Sequence, residues 1–289
     1  MKKLVIFGVG LIGGSIALAL KKNMKELQVV GLGRAGESLQ TALELGVIDL
    51  AETDTASALM HADMVIIATP VAQTPPILLA IAPYLDKKTV VTDVGSTKAD
   101  VMAHARALLG EKISQFVPGH PIAGAEKSGV TAARADLFDN KNVVLTPTAE
   151  TNPLALEQVR QMWLKANAQV SLMSADEHDG IFAAVSHLPH LLAFALVDDI
   201  AARPNASQLF SFAASGFRDF TRIAGSNAEM WRDISLANKN ALLNELTTYQ
   251  AEISRLYSLL QNEDAAGLQA LFERASVARN AWAESKIVK

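Results

Sequence analysis

One histidine stands between glycine and proline in the stretch Pro118-Gly119-His120-Pro121-Ile122-Ala123-Gly124. Proline stiffens the backbone there, and an imidazole titrates near neutrality. A general base that takes a hydroxyl proton needs both properties. A buried structural histidine fits the same pattern, and spacing alone does not separate the two. A second chemistry is written near the start. Gly8-Val9-Gly10-Leu11-Ile12-Gly13 fits G-x-G-x-x-G. In a dinucleotide site the first glycine makes the tight turn, the second lets the backbone approach the pyrophosphate, and the third lets helix and strand pack closely. The helix beginning at Leu11 and Ile12 would offer N–H groups and a positive dipole end to the phosphates.

Other polar residues fall where apolar runs end. Thr69-Pro70 closes one run and Asp93 closes the next, so all three are placed on the cofactor side. Asp93 opens Asp93-Val94-Gly95-Ser96-Thr97-Lys98, which lacks the G-x-x-x-x-G-K-[ST] spacing of a phosphate loop. Ser96 or Thr97 suits a helix N-cap, a role compatible with touching substrate. Arg34 follows the run 28–33, with no Asp or Glu until Glu37. An acidic side chain there would hold the ribose hydroxyl of NAD, whereas a guanidinium suits the extra phosphate of NADP. The reading favours NADP and permits NAD, and a solvated loop arginine is the plain alternative. His187 and His190 are three apart and share a helical face. Metal binding would want a third ligand at suitable spacing, and none is present; buried, hydrogen-bonded histidines are the plain alternative. Pro189 between them disturbs the helix, which fits a helix shaped around a pocket. Arg218, Asp219 and Arg222 mix charge into an apolar stretch, as a solvated turn or an anion site would.

The elements that position these residues follow from periodicity. The chain has 289 residues, half of them hydrophobic, enough for two domains with a real core. Uniformly apolar runs at 4–7, 28–33, 64–68, 89–92, 115–117 and 142–146 suit strands buried on both faces. Helical patterns at 37–45, 76–85, 98–109 and 153–166 lie between and after them. Alternating strands and helices of this kind imply a parallel sheet covered on both sides, with functional residues beyond the strands' carboxyl ends. From Ser174 onward the pattern turns helical. Ser174-Ala175-Asp176-Glu177 resembles a capping box, 176–200 reads as one apolar helix, and 234–260 and 264–282 read as amphipathic helices. The expected architecture is α/β: a Rossmann-type, doubly wound parallel sheet over 1–172, then an all-α substrate and dimerisation domain over 173–289.

Composition narrows the partners. A formal net charge of -4 argues against nucleic acid, which demands a basic footprint. The absence of cysteine excludes disulfides, thiolate metal sites and a cysteine nucleophile. The opening Met1-Lys2-Lys3 and the apolar run after it also fit a secretory leader. The second strand-like run, about 20 residues after the glycine motif, is what a βαβ dinucleotide unit requires and a leader does not explain. No later stretch is expected to supply a membrane span, and a cytoplasmic setting is expected.

Five blocks in this order, GVGLIGGS, TDVGSTK, GHPIAG, SHLPHLLAFAL and SGFRDFTRIA, resemble the prephenate dehydrogenase family, which includes arogenate and cyclohexadienyl dehydrogenases. The resemblance spans nearly the whole chain. It implies oxidative decarboxylation of prephenate to 4-hydroxyphenylpyruvate, or of arogenate to tyrosine, with reduction of a nicotinamide cofactor. It implies His120 as the base and Ser96 beside it and the substrate hydroxyl. It also implies Arg222 as the carboxylate-binding arginine, in preference to Arg218, and His187 and His190 as substrate-pocket histidines. Glu126 and Asp219 would gate or shape the pocket, and Trp231 would wall it. A homodimer through the helical domain is implied as well. No fused chorismate mutase or regulatory domain is expected after that domain. Two rivals share the cofactor fold. A hydroxyacid or imine reductase leaves GHPIAG and SHLPH unexplained, and an NADP-binding regulator would not need His120, Ser96 and Arg222 together.

Overall fold

The computed structural model describes residues 1–33, 36–125 and 127–287. These form two compact units, residues 1–239 and 240–289. The first unit opens with β1 (Lys3–Phe7), α1 (Leu11–Asn23), β2 (Gln28–Leu32), α2 (Glu37–Glu44), β3 (Leu50–Glu52), α3 (Thr55–Leu59) and β4 (Met64–Ile67). It continues with α4 (Thr74–Ile81), β5 (Val90–Asp93), α5 (Ala99–Leu109) and β6 (Phe116–Val117). The six strands lie in the order β3-β2-β1-β4-β5-β6, every pair parallel. This is the doubly wound order expected of a dinucleotide fold. β1 is a central strand whose residues Leu4 to Phe7 are buried between β2 and β4.

The expected single sheet is in fact two. Pro118 has no N–H to continue the ladder with β5, and the chain leaves the large sheet there. β7 (Gly119–Pro121) pairs antiparallel with β8 (Asn142–Leu145), and β8 pairs parallel with β9 (Gln169–Leu172), a strand not foreseen in the sequence. α6 (Pro153–Lys165) joins β8 to β9 and begins at an Asn152 cap whose side chain accepts from the Leu154 N–H. Apolar cores fill both faces of the large sheet, one around Ile6, Ile16, Phe138 and Trp163, the other around Val5, Ile67, Leu78 and Phe116.

The unit ends in helices: α7 (Ala175–Phe182), a π-helical turn (Ala183–His187), α8 (Leu188–Ala201), α9 (Ala206–Ser211), α10 (Ser215–Thr221) and α11 (Ala228–Ala237). Ser174 caps α7 by accepting from the Glu177 N–H, as expected. The helix expected at 234–260 is broken at Asn238, which turns inward and separates α11 from α12 (Lys239–Gln261). Contrary to the expectation of no membrane-length segment, Ala175–Ala201 is long and apolar enough to cross a bilayer by length and composition. Its polar side chains bond instead to α5, β7 and Asn238, as described below. The second unit carries most of α12 and all of α13 (Ala265–Ile287). Many of its large apolar side chains are exposed, among them Tyr257, Leu260, Phe272, Val277 and Trp282.

Candidate active site

The glycine turn has the shape its spacing predicts. Gly8 has φ +85°, and a Cβ there would lie 2.6 Å from the Ala68 carbonyl oxygen and 2.9 Å from Thr69 Cγ2. A Cβ on Gly13 would lie 2.3 Å from the Gly8 carbonyl oxygen, so α1 packs directly on the turn. A Cβ on Gly10 would meet nothing within 4 Å, which leaves its backbone open to a ligand. α1 starts at Gly10 with no side-chain cap and no acidic residue in its first turn. Its leading N–H groups, from Leu11 onward, therefore face outward with the positive end of the dipole. Thr69 abuts the turn with its hydroxyl buried and without a hydrogen-bond partner, and the neighbouring Pro70 is exposed. An open glycine backbone, a bare helix start and an orphaned hydroxyl together fit a dinucleotide diphosphate.

His120 lies on β7 of the smaller sheet, beside the carboxyl end of β5. Its strand crosses the end of β5, where a Cβ on Gly119 would lie 3.1 Å from the Asp93 carbonyl oxygen. β1, β4 and β5 are consecutive neighbours, and strand spacing near 4.8 Å puts the glycine turn and His120 roughly 10 Å apart laterally. A dinucleotide spans that distance.

Four residues hold His120 in one protonation pattern. Asp179 is nearly buried, and its Oδ1 lies 2.8 Å from His178 Nδ1. The same carboxylate accepts the Lys98 and Ala99 N–H groups at 2.8 and 2.9 Å, capping α5 from a helix about 80 residues further along the chain. This replaces the expected cap by Ser96 or Thr97. Burial pushes the Asp179 carboxyl up, but the bonds from His178 and the two amides outweigh it and hold it below the usual carboxylate range. An ionised carboxylate only accepts, so His178 Nδ1 carries the proton. Burial pushes His178 down in spite of Asp179, so its ring is neutral and Nε2 is a bare acceptor. That nitrogen lies 2.8 Å from His120 Nδ1, which must therefore be the donor. Burial, reinforced by the fields of His178, Lys98 and His187, keeps His120 well below the ordinary histidine value. A neutral ring with its proton on Nδ1 has a free lone pair on Nε2. The Phe182 ring packs edge-on against His120, with centroids 4.9 Å apart.

A second histidine pair lies on the π turn and the start of α8. Asn238 Nδ2 donates to the Asp179 carbonyl at 2.8 Å and lies 3.1 Å from His187 Nδ1. An amide nitrogen only donates, so His187 keeps its proton on Nε2. Burial lowers His187 to about 4. His190 Nδ1 donates to the Ser186 carbonyl at 2.8 Å, and its ring stacks on Trp231 with centroids 3.7 Å apart. Burial lowers His190 as well, and the charge of Arg222 adds to that effect. Trp231 is buried with its indole N–H unpartnered.

The structure thus gathers His120, His187, His190 and Trp231, with Arg222 exposed but close enough to be felt at His190. Asp219 is exposed on α10. Ser96 is half-buried after β5, and among the described residues no hydrogen bond joins it to His120. Arg34 and Glu126 lie outside the described residues. Asp93, expected on the cofactor side, turns inward: it is fully buried, and both its oxygens are engaged by Lys98, Gly95 and Gly119. His178, Asp179, Lys98 and Asn238 were not foreseen. The adjacent His178-Asp179 pair, polar in an apolar helix, was the one local signal.

Comparison with known proteins matches the same elements. Residues 16–172 fit the family model described as prephenate dehydrogenase, nucleotide-binding domain, and residues 174–274 fit prephenate dehydrogenase, dimerization domain. A prephenate dehydrogenase of Bacillus subtilis is 42% identical over 274 residues, covering 94% of this chain and 74% of that protein. The crystal structure of prephenate dehydrogenase from A. aeolicus, in complex with hydroxyphenyl propionate and NAD+, superposes with a TM-score of 0.91 at 36% identity, covering 96% of this chain and 97% of that one. Arogenate dehydrogenase of Synechocystis superposes with a TM-score of 0.82 at 30% identity, covering 97% of this chain and 99% of that one.

Proposed function

The chain belongs to the prephenate dehydrogenase family, and from that premise we propose how its own residues carry out the family's oxidative decarboxylation. The substrate is prephenate, arogenate or both, and the products are 4-hydroxyphenylpyruvate or tyrosine, carbon dioxide and reduced nicotinamide cofactor. Hydride leaves the carbinol carbon while a base takes the proton of its hydroxyl; the ring carboxylate at the opposite end then departs as carbon dioxide, the ring becomes aromatic, and the proton returns to the phenolic oxygen. The observation that carries the assignment is the Asp179–His178–His120 chain, because it leaves His120 Nε2 as an unprotonated acceptor.

His120 takes the hydroxyl proton on Nε2. His178 then accepts a stronger hydrogen bond from the charged ring, and Asp179 offsets the new charge from two bonds away. The bound nicotinamide supplies the hydride acceptor. Gly8, Gly10 and Gly13, with the N–H groups of Leu11 and Ile12, hold its diphosphate, and Thr69 and Pro70 border it. Ser96 lies beside the substrate hydroxyl. Arg222 grips a carboxylate, for which the planar guanidinium offers two parallel donors. His187, with its Nε2–H, and His190, with a free Nε2, present one donor and one acceptor to the rest of the substrate, against the wall of Trp231. Asp219 and Glu126 gate or shape the pocket. Arg34 supports a preference for NADP over NAD. The helical part from residue 173 onward forms a homodimer, supported by the exposed apolar side chains of α12 and α13.

The test is the initial rate of cofactor reduction in a grid of prephenate or arogenate with NAD or NADP, repeated for His120→Asn. Turnover in at least one combination is expected, reduced about 100-fold or more in the variant. A blank grid from folded, cofactor-binding protein would refute the enzyme reading, and near-normal turnover of His120→Asn would remove it as the base.

A further inference from the structure

Beneath the His120 strand lies a buried ion pair that the reaction as described does not use. The Lys98 ammonium bonds the Asp93 carboxylate, and their side chains are 0% and 1% exposed. Lys98 Nζ also donates to the Gly119 carbonyl at 2.8 Å. Asp93 accepts the Gly119 N–H at 3.1 Å and the Gly95 N–H at 2.8 Å. One ion pair therefore takes both polar groups of the residue immediately before His120.

The strand geometry explains why Gly119 needs it. Thr146 N–H donates to the Pro118 carbonyl and Ile122 N–H donates to the Asn142 carbonyl. Antiparallel pairing alternates every second residue, so Gly119 directs its N–H and C=O away from β8. Among the described residues no strand pairs with β7 on that side, and Gly119 is buried. Asp93 and Lys98 stand in for the missing strand. A purely stabilising role is a weak account of the pair, because well-packed apolar residues commonly serve as well in such positions. What apolar residues cannot do is hold both ends of the Gly119 peptide at fixed distances.

We propose that Lys98 and Asp93 are positioning residues for the reaction: by holding Gly119 at both its N–H and its C=O, the pair sets the direction in which His120 presents Nε2. The proposal rests on the reading of His120 as the base. The pair has an electrostatic consequence too. His120 is faced by His178, with Asp179 behind it, from α7, by His187 from the π turn, by the uncharged ring of Phe182, and by Lys98 with Asp93 from below. Lys98 is a cation that opposes protonation of His120, so removing it raises the pH at which the base is lost.

The experiment compares wild type, His120→Asn, Asp93→Asn and the double variant Asp93→Asn/Lys98→Met, which removes both charges and keeps both volumes. Each is measured for kcat and KM across pH, cofactor Kd and Tm. The double variant is expected to bind cofactor as wild type does and to lose roughly tenfold or more in kcat with little change in KM. Asp93→Asn keeps the Lys98 bond to Gly119 and is expected to lose less; it carries the test on kcat alone if the double variant does not fold. Wild-type kcat in the folded double variant would overturn the proposal, as would a kcat loss matched by an equal loss of cofactor affinity. The His120→Asn arm separates the two levels. Normal turnover there refutes the base, whereas loss there with normal double-variant turnover refutes only the positioning pair.

Discussion

Asp179→Asn tests the protonation chain at its root. In the native protein the carboxylate accepts from His178 Nδ1 and the Lys98 N–H on one oxygen and from the Ala99 N–H on the other. An asparagine has one acceptor oxygen and one donor nitrogen. If the oxygen faces His178, its NH2 opposes the Ala99 N–H. If the amide flips, its NH2 faces His178 Nδ1 and drives that proton to Nε2. His178 then donates to His120 Nδ1, and the His120 proton moves to Nε2, where it occupies the lone pair the reaction needs. In both orientations a charge-assisted bond is lost, worth about 1.5–3 kcal/mol. At about 1.36 kcal/mol per tenfold, the productive tautomer, and with it kcat, should fall roughly 10- to 150-fold. Loss of the α5 cap should cost a further 1–2 kcal/mol or so of stability, a Tm decrease of a few degrees. Absorbance of reduced cofactor gives kcat, fluorescence titration gives cofactor affinity, and imidazole nitrogen NMR reads the tautomers directly. A kcat within about twofold of wild type, in a protein whose cofactor affinity and helix content are unchanged, would refute the chain as the source of His120 basicity.

Three further outcomes follow from the same geometry. Gly8→Ala should cost more than about 1 kcal/mol of stability and weaken cofactor binding, since φ is +85° and the new Cβ would lie 2.6 Å from the Ala68 carbonyl oxygen; unchanged Tm and cofactor titration would contradict this. Arg222→Ala should raise KM for substrate about tenfold or more by losing a charge-assisted contact, with cofactor affinity intact; the reverse pattern would assign it to the other ligand. Stability should decline as pH falls from about 6.5, the ordinary histidine value, toward 4. Burial lowers His187 to about 4 and pushes His120, His178 and His190 in the same direction, so the unfolded chain binds more protons in that window. Scanning calorimetry should show the Tm dropping there, and a flat Tm would exclude neutral burial of this cluster.

The features decided by the sequence alone are those set by neighbours along the chain. Gly8, Gly10 and Gly13 announce a dinucleotide turn because backbone conformation and close approach are local steric matters. The apolar runs of β1, β2, β4 and β5 announce a parallel sheet because burial on both faces leaves no alternation. His120 between glycine and proline was legible only as a rigidly placed imidazole, and its local sequence left a base and a buried structural histidine equally open. Tertiary structure decided everything that depends on partners far away in the chain. Asp179 reaches α5 across 81 residues, His178 reaches His120 across 58, and Asp93 reaches Gly119 across 26. None of these distances has a periodicity. The same holds for β9, which gains its identity from β8, and for Asn238, which breaks a helix because its amide finds Asp179 and His187. Asp93 illustrates the difference: its place at a strand end suggests a ligand, but the ammonium five residues later, folded back beneath the strand, turns it inward to hold Gly119.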